Sequence, residues 1–333
     1  MVKKGFVYFM MGVLLILSAC GGGSNASSSS GDKQKVVIGY FPNLNHAPAM
    51  IAKEKQMYEN QLGDDVEVEY RTFPDGSAFM TALATGEIQG GLVGPGPAMN
   101  NFISGVDVTV VASSSTGGTV IVSREGSGIK TVEDIKGKTF ISPRVGCTHD
   151  VQFETYMKKL GITSDRTGGT MKHVTGKPAQ YTTMFEKGDV DVATAPEPWA
   201  SVLEAEVGAN VVVDSDEISF GKTLPAAVFV TSSDMIKNDP ELIQSLINAH
   251  KESVEFINEN PEEAIDITIK SIDEITGQKL DHDVMESAWA RTDFVYDIDQ
   301  EAIQAFGDSS YDLQFLKEKP DFTGFVDKSF INK

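Results

Sequence analysis

Short apolar runs and amphipathic stretches alternate along the chain from residue 36 onward. The run 36–41 is short and apolar enough for a strand, while 47–58 carries apolar residues three and four apart, the period of one helix face. The rhythm continues with strands predicted at 66–70, 88–93 and 106–112 and helices at 77–85 and 97–104. Strand and helix repeating in this order predict a mostly parallel sheet with helices on both faces. A second series spans 138–214, with strands near 139–142, 173 and 190–195 and helices near 150–160 and 179–187. Two further apolar runs, 119–123 and 226–230, flank it. If they pair, the chain leaves one lobe and returns through two adjacent crossovers. From Met235 onward helix dominates, at 240–258, 261–272 and 300–317, each opened by proline or a polar cap. This part is predicted to pack back on the first lobe. The expected lobes are 36–123 with 222–333, and 124–221.

The first residues break this pattern. Lys3 and Lys4 precede an apolar run, 6–17, that ends in Leu17-Ser18-Ala19-Cys20. A charged start, a short apolar stretch and small residues before a cleavage point are the marks of an export signal, here 1–19. The run falls short of the roughly 20 apolar residues a spanning helix needs. The tetrad ending at Cys20 resembles the bacterial lipobox, in which that cysteine is lipidated and becomes the new N-terminus. The segment 20–35 that follows is rich in glycine and serine and reads as a flexible tether.

Charge and cysteine count narrow the function further. The chain has 48 acidic and 28 basic residues, and loss of Lys3 and Lys4 with the signal leaves 26 basic, a net charge of −22. Nucleic acid is excluded as a partner, because phosphate backbones require a basic surface. Anionic lipid would repel such a body, so the lipid on Cys20 must do the anchoring, and two acyl chains hold where one does so only marginally. Cys20 and Cys147 are the only cysteines, so a lipidated Cys20 leaves no internal disulfide.

Four segments stand where a strand hands over to a helix. After the first strand, Asn43, Asn45 and His46 offer hydrogen-bonding groups at a helix start. Gly94, Pro95 and Gly96 place free backbone N–H groups at a second start, where anionic oxygens are attracted. Arg144, Cys147, Thr148 and His149 surround a third, and the two helix starts facing one another would clamp an anion. Glu197, between prolines, and Trp199 form the fourth. An acid there would favour a ligand bearing an amine, with the indole as an apolar wall. In open α/β sheets ligands sit beyond the carboxyl ends of the strands, the position of all four. No metal is expected, because Cys147 and His149 alone do not make up a zinc ligand set, and no cofactor is expected. The chain carries no Gly-x-Ser-x-Gly, His-Glu-x-x-His or Gly-x-x-x-x-Gly-Lys-Ser/Thr motif.

The same residues carry a family resemblance. Ile38-Gly39-Tyr40-Phe41, 50–55, Phe73-Pro74-Asp75-Gly76, 83–88 and Pro196-Glu197-Pro198-Trp199-Ala200, in this order, resemble the binding proteins for aliphatic sulfonates, taurine and nitrate, whose wider group includes binders of thiamine-pyrimidine precursors. The resemblance implies a two-lobed α/β fold of the type II periplasmic-binding-protein kind, with two hinge crossover strands and a ligand in the cleft. It also implies a monomer that serves an ABC permease and ATPase outside the cytoplasm, and a binding protein rather than an enzyme. Where sulfonate-type relatives commonly read Gly-Asn-Thr-Gln-Asp, this chain has Cys147 and His149 in place of the amides. The cargo expected is a small oxyanion such as an aliphatic sulfonate or taurine, with nitrate or a thiamine-pyrimidine precursor as the alternative. Two rival roles are a pyrimidine-synthesis enzyme, whose cysteine-rich motif is absent here, and a receptor-docking sensor.

Overall fold

The structure, a computed structural model, describes residues 33–332. The expected signal, lipidated Cys20 and most of the tether lie outside the described residues. The chain lays down β1 (Gln34–Tyr40), β2 (Val66–Thr72), β3 (Gly90–Val93) and β4 (Thr109–Gly117), then β5 (Thr119–Ser123), β6 (Thr139–Ser142), β7 (Lys172–Thr175), β8 (Val192–Pro196) and β9 (Asn210–Val213), and finally β10 (Pro225–Thr231) and β11 (Thr292–Phe294). They form two sheets. The first has the order β11-β4-β10-β3-β1-β2 and the second β7-β6-β8-β5-β9. Within them β1 runs parallel to β2 and β3, and β6 parallel to β7 and β8. Each sheet also receives strands from the other half of its lobe in the antiparallel sense: β10 joins β3 and β4, and β5 joins β8 and β9.

This layout corrects the expected hinge. The runs 119–123 and 226–230 do not pair; β10 pairs with β4, and β5 lies inside the second sheet. The chain therefore changes lobe at Gly117 and Gly118, before β5 rather than after it. Gly118 has φ +67°, and a Cβ there would lie 2.9 Å from both Asn45 Oδ1 and Thr292 Oγ1. Only glycine fits that turn without strain. The return crossover runs between β9 and β10.

Burial explains the elements. In β5, Val120 and Val122 join one apolar cluster with Ile141, Tyr181 and Phe185, whereas Ile121 joins another with Phe140, Phe153 and Val192. Alternate side chains thus fill opposite faces, as the period of a strand requires. The largest core surrounds the first sheet. The helix Pro240–Glu259 buries Leu242, Ile243, Leu246, Ile247, His250, Val254 and Ile257, a stripe at helical spacing, and Asp239 caps its start by accepting from Leu242 N. The predicted helix 47–58 is in fact two, Ala47–Glu54 and Met57–Leu62, because Gln56 sits in the left-handed region at φ +54°.

Candidate functional site

The ends of β1, β3, β6 and β8 converge on the seam between the lobes. The helix Pro95–Ile103 starts directly after β3 with Gly94 as its cap and Pro95 at the first position, where a missing N–H costs nothing. The helix Thr148–Lys159 starts after β6 with Cys147 as its cap. These two starts meet. Gly96 N donates to Thr148 Oγ1 at 3.2 Å, and Asn100 Nδ2 donates to the Gly146 carbonyl at 3.3 Å. A Cβ on Gly96 would lie 2.9 Å from Thr148 N, so glycine sets how closely the lobes approach. The two helix starts expected to clamp an anion do face one another, and in this conformation they hydrogen-bond directly. Arg144, half exposed, adds an ion pair across the seam, 3.2 Å from Asp75 Oδ1. Asp75 also caps the helix Gly76–Ala84.

Behind this contact lie groups with no protein partner. Asn45 Nδ2 and His46 Nδ1 from the first lobe and His149 Nε2 from the second are buried and unpaired. The rest of Asn45 is fixed: Asn43 Oδ1 accepts from its backbone N–H, and Ser115 donates to its Oδ1 at 3.2 Å. Burial, and then the nearby His149, push His46 down to about 3; burial alone pushes His149 down to about 4. Both imidazoles are neutral at pH 7. Buried polar groups are nearly always satisfied, so these three atoms call for a bound molecule or water.

Phe41 stands edge-on to His46, 5.1 Å between ring centres, and is also one of the residues lining a cavity of about 600 Å³. The first lobe contributes Phe41, Asn43 and Phe73 to its wall, and the second contributes Lys177, Gln180 and Trp199. Ile275, Thr276 and Gln278, at the end of the helix Pro261–Thr276, close one side. Lys177 is the only charged residue among those lining the cavity. Sequence reasoning missed Lys177 and Gln180, although they follow the carboxyl end of β7 and obey the same rule that picked out the other four segments.

Two expected site residues have other work. Glu197 is fully buried, and its carboxylate is saturated: Oε1 takes Arg291 Nη1 at 2.9 Å and the Ser201 hydroxyl at 3.0 Å, and Oε2 takes Ser201 N at 3.0 Å. Arg291 also binds Glu204 and Asp214. Burial raises the Glu197 carboxyl, with Ser201 and Arg291 acting against that rise. Its expected role, facing an amine in the cleft, is corrected: it anchors the crossover, its N–H donating to the Gly118 carbonyl and its carbonyl accepting from Leu44 N. The Cys147 thiol is buried and pushed up to about 12 by burial and by Asp150, so it is no nucleophile at neutral pH. Trp199 is buried and lines the cavity.

Asp150, Glu154 and His173 in the second lobe could each offer a metal ion one ligand atom. The charge there is already matched. Arg166 pairs with Glu154 at 3.0 Å, and burial raises the Asp150 carboxyl well above the usual carboxylate range. Asp150 accepts from Gly146 N at 2.7 Å and so fixes the loop before Thr148.

Comparison with known proteins follows the same lines. The NMT1-like family matches residues 29–272. A protein of Brucella abortus named only as a binding protein is 26% identical over 242 residues, 72% of each chain. A protein of Bacillus subtilis named for binding aliphatic sulfonates is 24% identical over 339 residues, covering 99% of this chain and 96% of the relative. Among solved structures, the alkanesulfonate-binding protein SsuA of Xanthomonas axonopodis pv. citri, bound to MOPS, superposes with a TM-score of 0.73 at 19% identity, covering 90% of this chain and 100% of that one. The resemblance read from the motifs and the two-lobed fold it implied are both borne out.

Proposed function

The chain belongs to the NMT1-like family, and from that premise we propose that it is the extracytoplasmic solute-binding component of an ABC importer, closing its lobes on a small oxyanion such as an aliphatic sulfonate or taurine. One observation carries the reading. Asn45 and His46 on one lobe and His149 on the other present buried polar atoms that nothing in the protein satisfies, beside a cavity that both lobes line. A molecule held there would be gripped by neutral donors from both sides, and its binding would stabilise the closed lobes, the behaviour of a hinged trap. The absence of acidic residues from the cavity lining, in a chain with 48 of them, favours an anion. The protonated Cys147 thiol fits reversible capture. On this reading the chain is held to the membrane through lipid on Cys20 and hands its cargo, as a monomer, to a permease driven by an ATPase.

Thermal unfolding in the presence of alkanesulfonates, taurine, nitrate and pyrimidine precursors tests the proposal. A ligand at 100 times its dissociation constant stabilises the fold by about 2.7 kcal/mol. A shift with a sulfonate or taurine supports the oxyanion; a shift with pyrimidines alone replaces it, and no shift with any of them removes the proposed cargo class.

A further inference from the structure

The cavity meets solvent along a rim that both lobes supply. Of its lining residues, Phe73 and Trp199 are buried, whereas Thr72 and Pro74 from the first lobe and Lys177 and Gln180 from the second are exposed. One hydrogen bond spans that rim: Gln278 Nε2 donates to the Ala179 carbonyl at 2.8 Å. Among the described residues it is the one hydrogen bond that joins two lining residues from different lobes; the contacts of Gly96 with Thr148 and of Asn100 with Gly146 involve none of them.

Both partners are held in place before they meet. Gln278 follows the helix Pro261–Thr276, which is tied to the first lobe by Lys270 and Glu54, 2.6 Å apart. That helix ends at Gly277, at φ +73°, whose N–H donates to the Asp273 carbonyl at 2.7 Å, and Gln278 N donates to Thr276 Oγ1 at 3.2 Å. On the second lobe Pro178 opens a single turn, closed by Gln180 N on the Lys177 carbonyl at 2.9 Å. With the backbone fixed on both sides, only the Gln278 side chain loses freedom when the bond forms.

We infer that Gln278 is a latch across the cavity mouth, a positioning residue that holds the turn Pro178–Gln180 of one lobe to the end of the helix Pro261–Thr276 of the other, so that the mouth widens only when its bond to Ala179 breaks. The inference rests on the proposed capture between moving lobes, and on no property of the cargo. One neutral hydrogen bond at an exposed site shifts the opening equilibrium about threefold. An amide carries no charge, so the latch, unlike the ion pair of Arg144 with Asp75, holds equally well at high salt.

Trp199 reports the opening, because it lines the cavity and is only 3% exposed. Trp289→Phe in the full chain leaves Trp199 as the only tryptophan. In that background, without ligand, acrylamide quenching is expected to rise about threefold on Gln278→Met, by the same amount at low and high salt. Methionine keeps the length of the side chain and removes the donor. Gln278 is exposed, so the variant should fold, and an unchanged unfolding midpoint checks this. Gln180→Met, which alters the same rim without touching the bond, is expected to leave quenching unchanged. Equal quenching in Gln278→Met and its parent, or the same rise in Gln180→Met, overturns the latch. A thermal shift with any of the candidate ligands would in that case leave the importer reading in place.

Discussion

At the scale of single residues the seam depends on few atoms. Thr148 Oγ1 is the acceptor that Gly96 N uses across the lobes, and its replacement by valine leaves a buried N–H unpaired. Such a loss costs about 1–3 kcal/mol. Thr148→Val should therefore lower the unfolding midpoint and, on the proposed oxyanion reading, weaken binding of the ligand that shifts that midpoint about tenfold in titration; unchanged affinity would take Thr148 out of lobe closure. His46 gives a pH signature. Its folded value of about 3 lies below the ordinary 6.5, so the unfolded chain binds the extra proton between these values. The stability it contributes is complete above pH 6.5 and declines as pH falls, by about 2 kcal/mol at pH 5. Asp150, Glu154 and Glu197, raised by burial, act in the opposite sense, so the histidine's share is read by difference. Urea curves at pH 7 and 5 should show His46→Gln losing about 2 kcal/mol less on acidification than the wild type, and parallel losses would refute the assignment. Asn45, His46 and His149 were candidates in the sequence because each lies at a helix start that follows the carboxyl end of a strand. Glu197 was misread because its partner, Arg291, lies 94 residues further on and nothing local announces it.

Among the elements, the alternation of strand and helix was legible wherever side chains were apolar, and it failed where they were not. The strand expected at 106–112 runs to Gly117, because Ser113, Ser114 and Ser115 are fully buried in β4 despite their polarity. Ser114 and Ser115 donate to the Asn45 carbonyl and the Ser113 carbonyl pairs with the His250 ring, which satisfies these groups inside the sheet, although the Ser113 hydroxyl is buried without a partner. A run of serines before two glycines reads as a loop until those partners are known. The hinge was misplaced for a related reason: β4 and β5 are separated only by Gly118, and which sheet each joins is decided by distant strands. Arg291 secures this crossover, its carbonyl accepting from Gly118 N and its guanidinium gathering Glu197, Glu204 and Asp214. Removing one member of a buried ion pair costs about 3–5 kcal/mol. Arg291→Met should lose about 3 kcal/mol in urea unfolding, and adding Glu197→Gln should restore part of it, since no charge is then stranded. A double variant no more stable than the single one would mean that Glu197 is not the residue Arg291 neutralises.

For the whole molecule, closure is set by more than the two crossovers. The helix Gln300–Asp312 and the turn after it reach over the second lobe: Thr155 and Ser309 share a hydroxyl hydrogen bond at 2.7 Å, Lys158 donates to the Asp312 carbonyl, and Arg166 donates to the Leu313 carbonyl at 2.7 Å. Arg166 also lies over the Phe315 ring, 3.8 Å from its centre. This third link ties the lobes together through residues that do not line the cavity. A cation over an aromatic face that water still reaches in part, as at Arg166, is worth about 1 kcal/mol. Phe315→Ala should therefore leave the fold and the encounter with ligand intact but hasten escape, because the competent closed state becomes less populated. Stopped-flow fluorescence of the two tryptophans, Trp199 and Trp289, with whichever candidate ligand gives the largest thermal shift should show dissociation about fivefold faster and association unchanged. A slower association with unchanged dissociation would place Phe315 on the route of entry, and the C-terminal link would then guide the cargo in rather than hold the lobes shut.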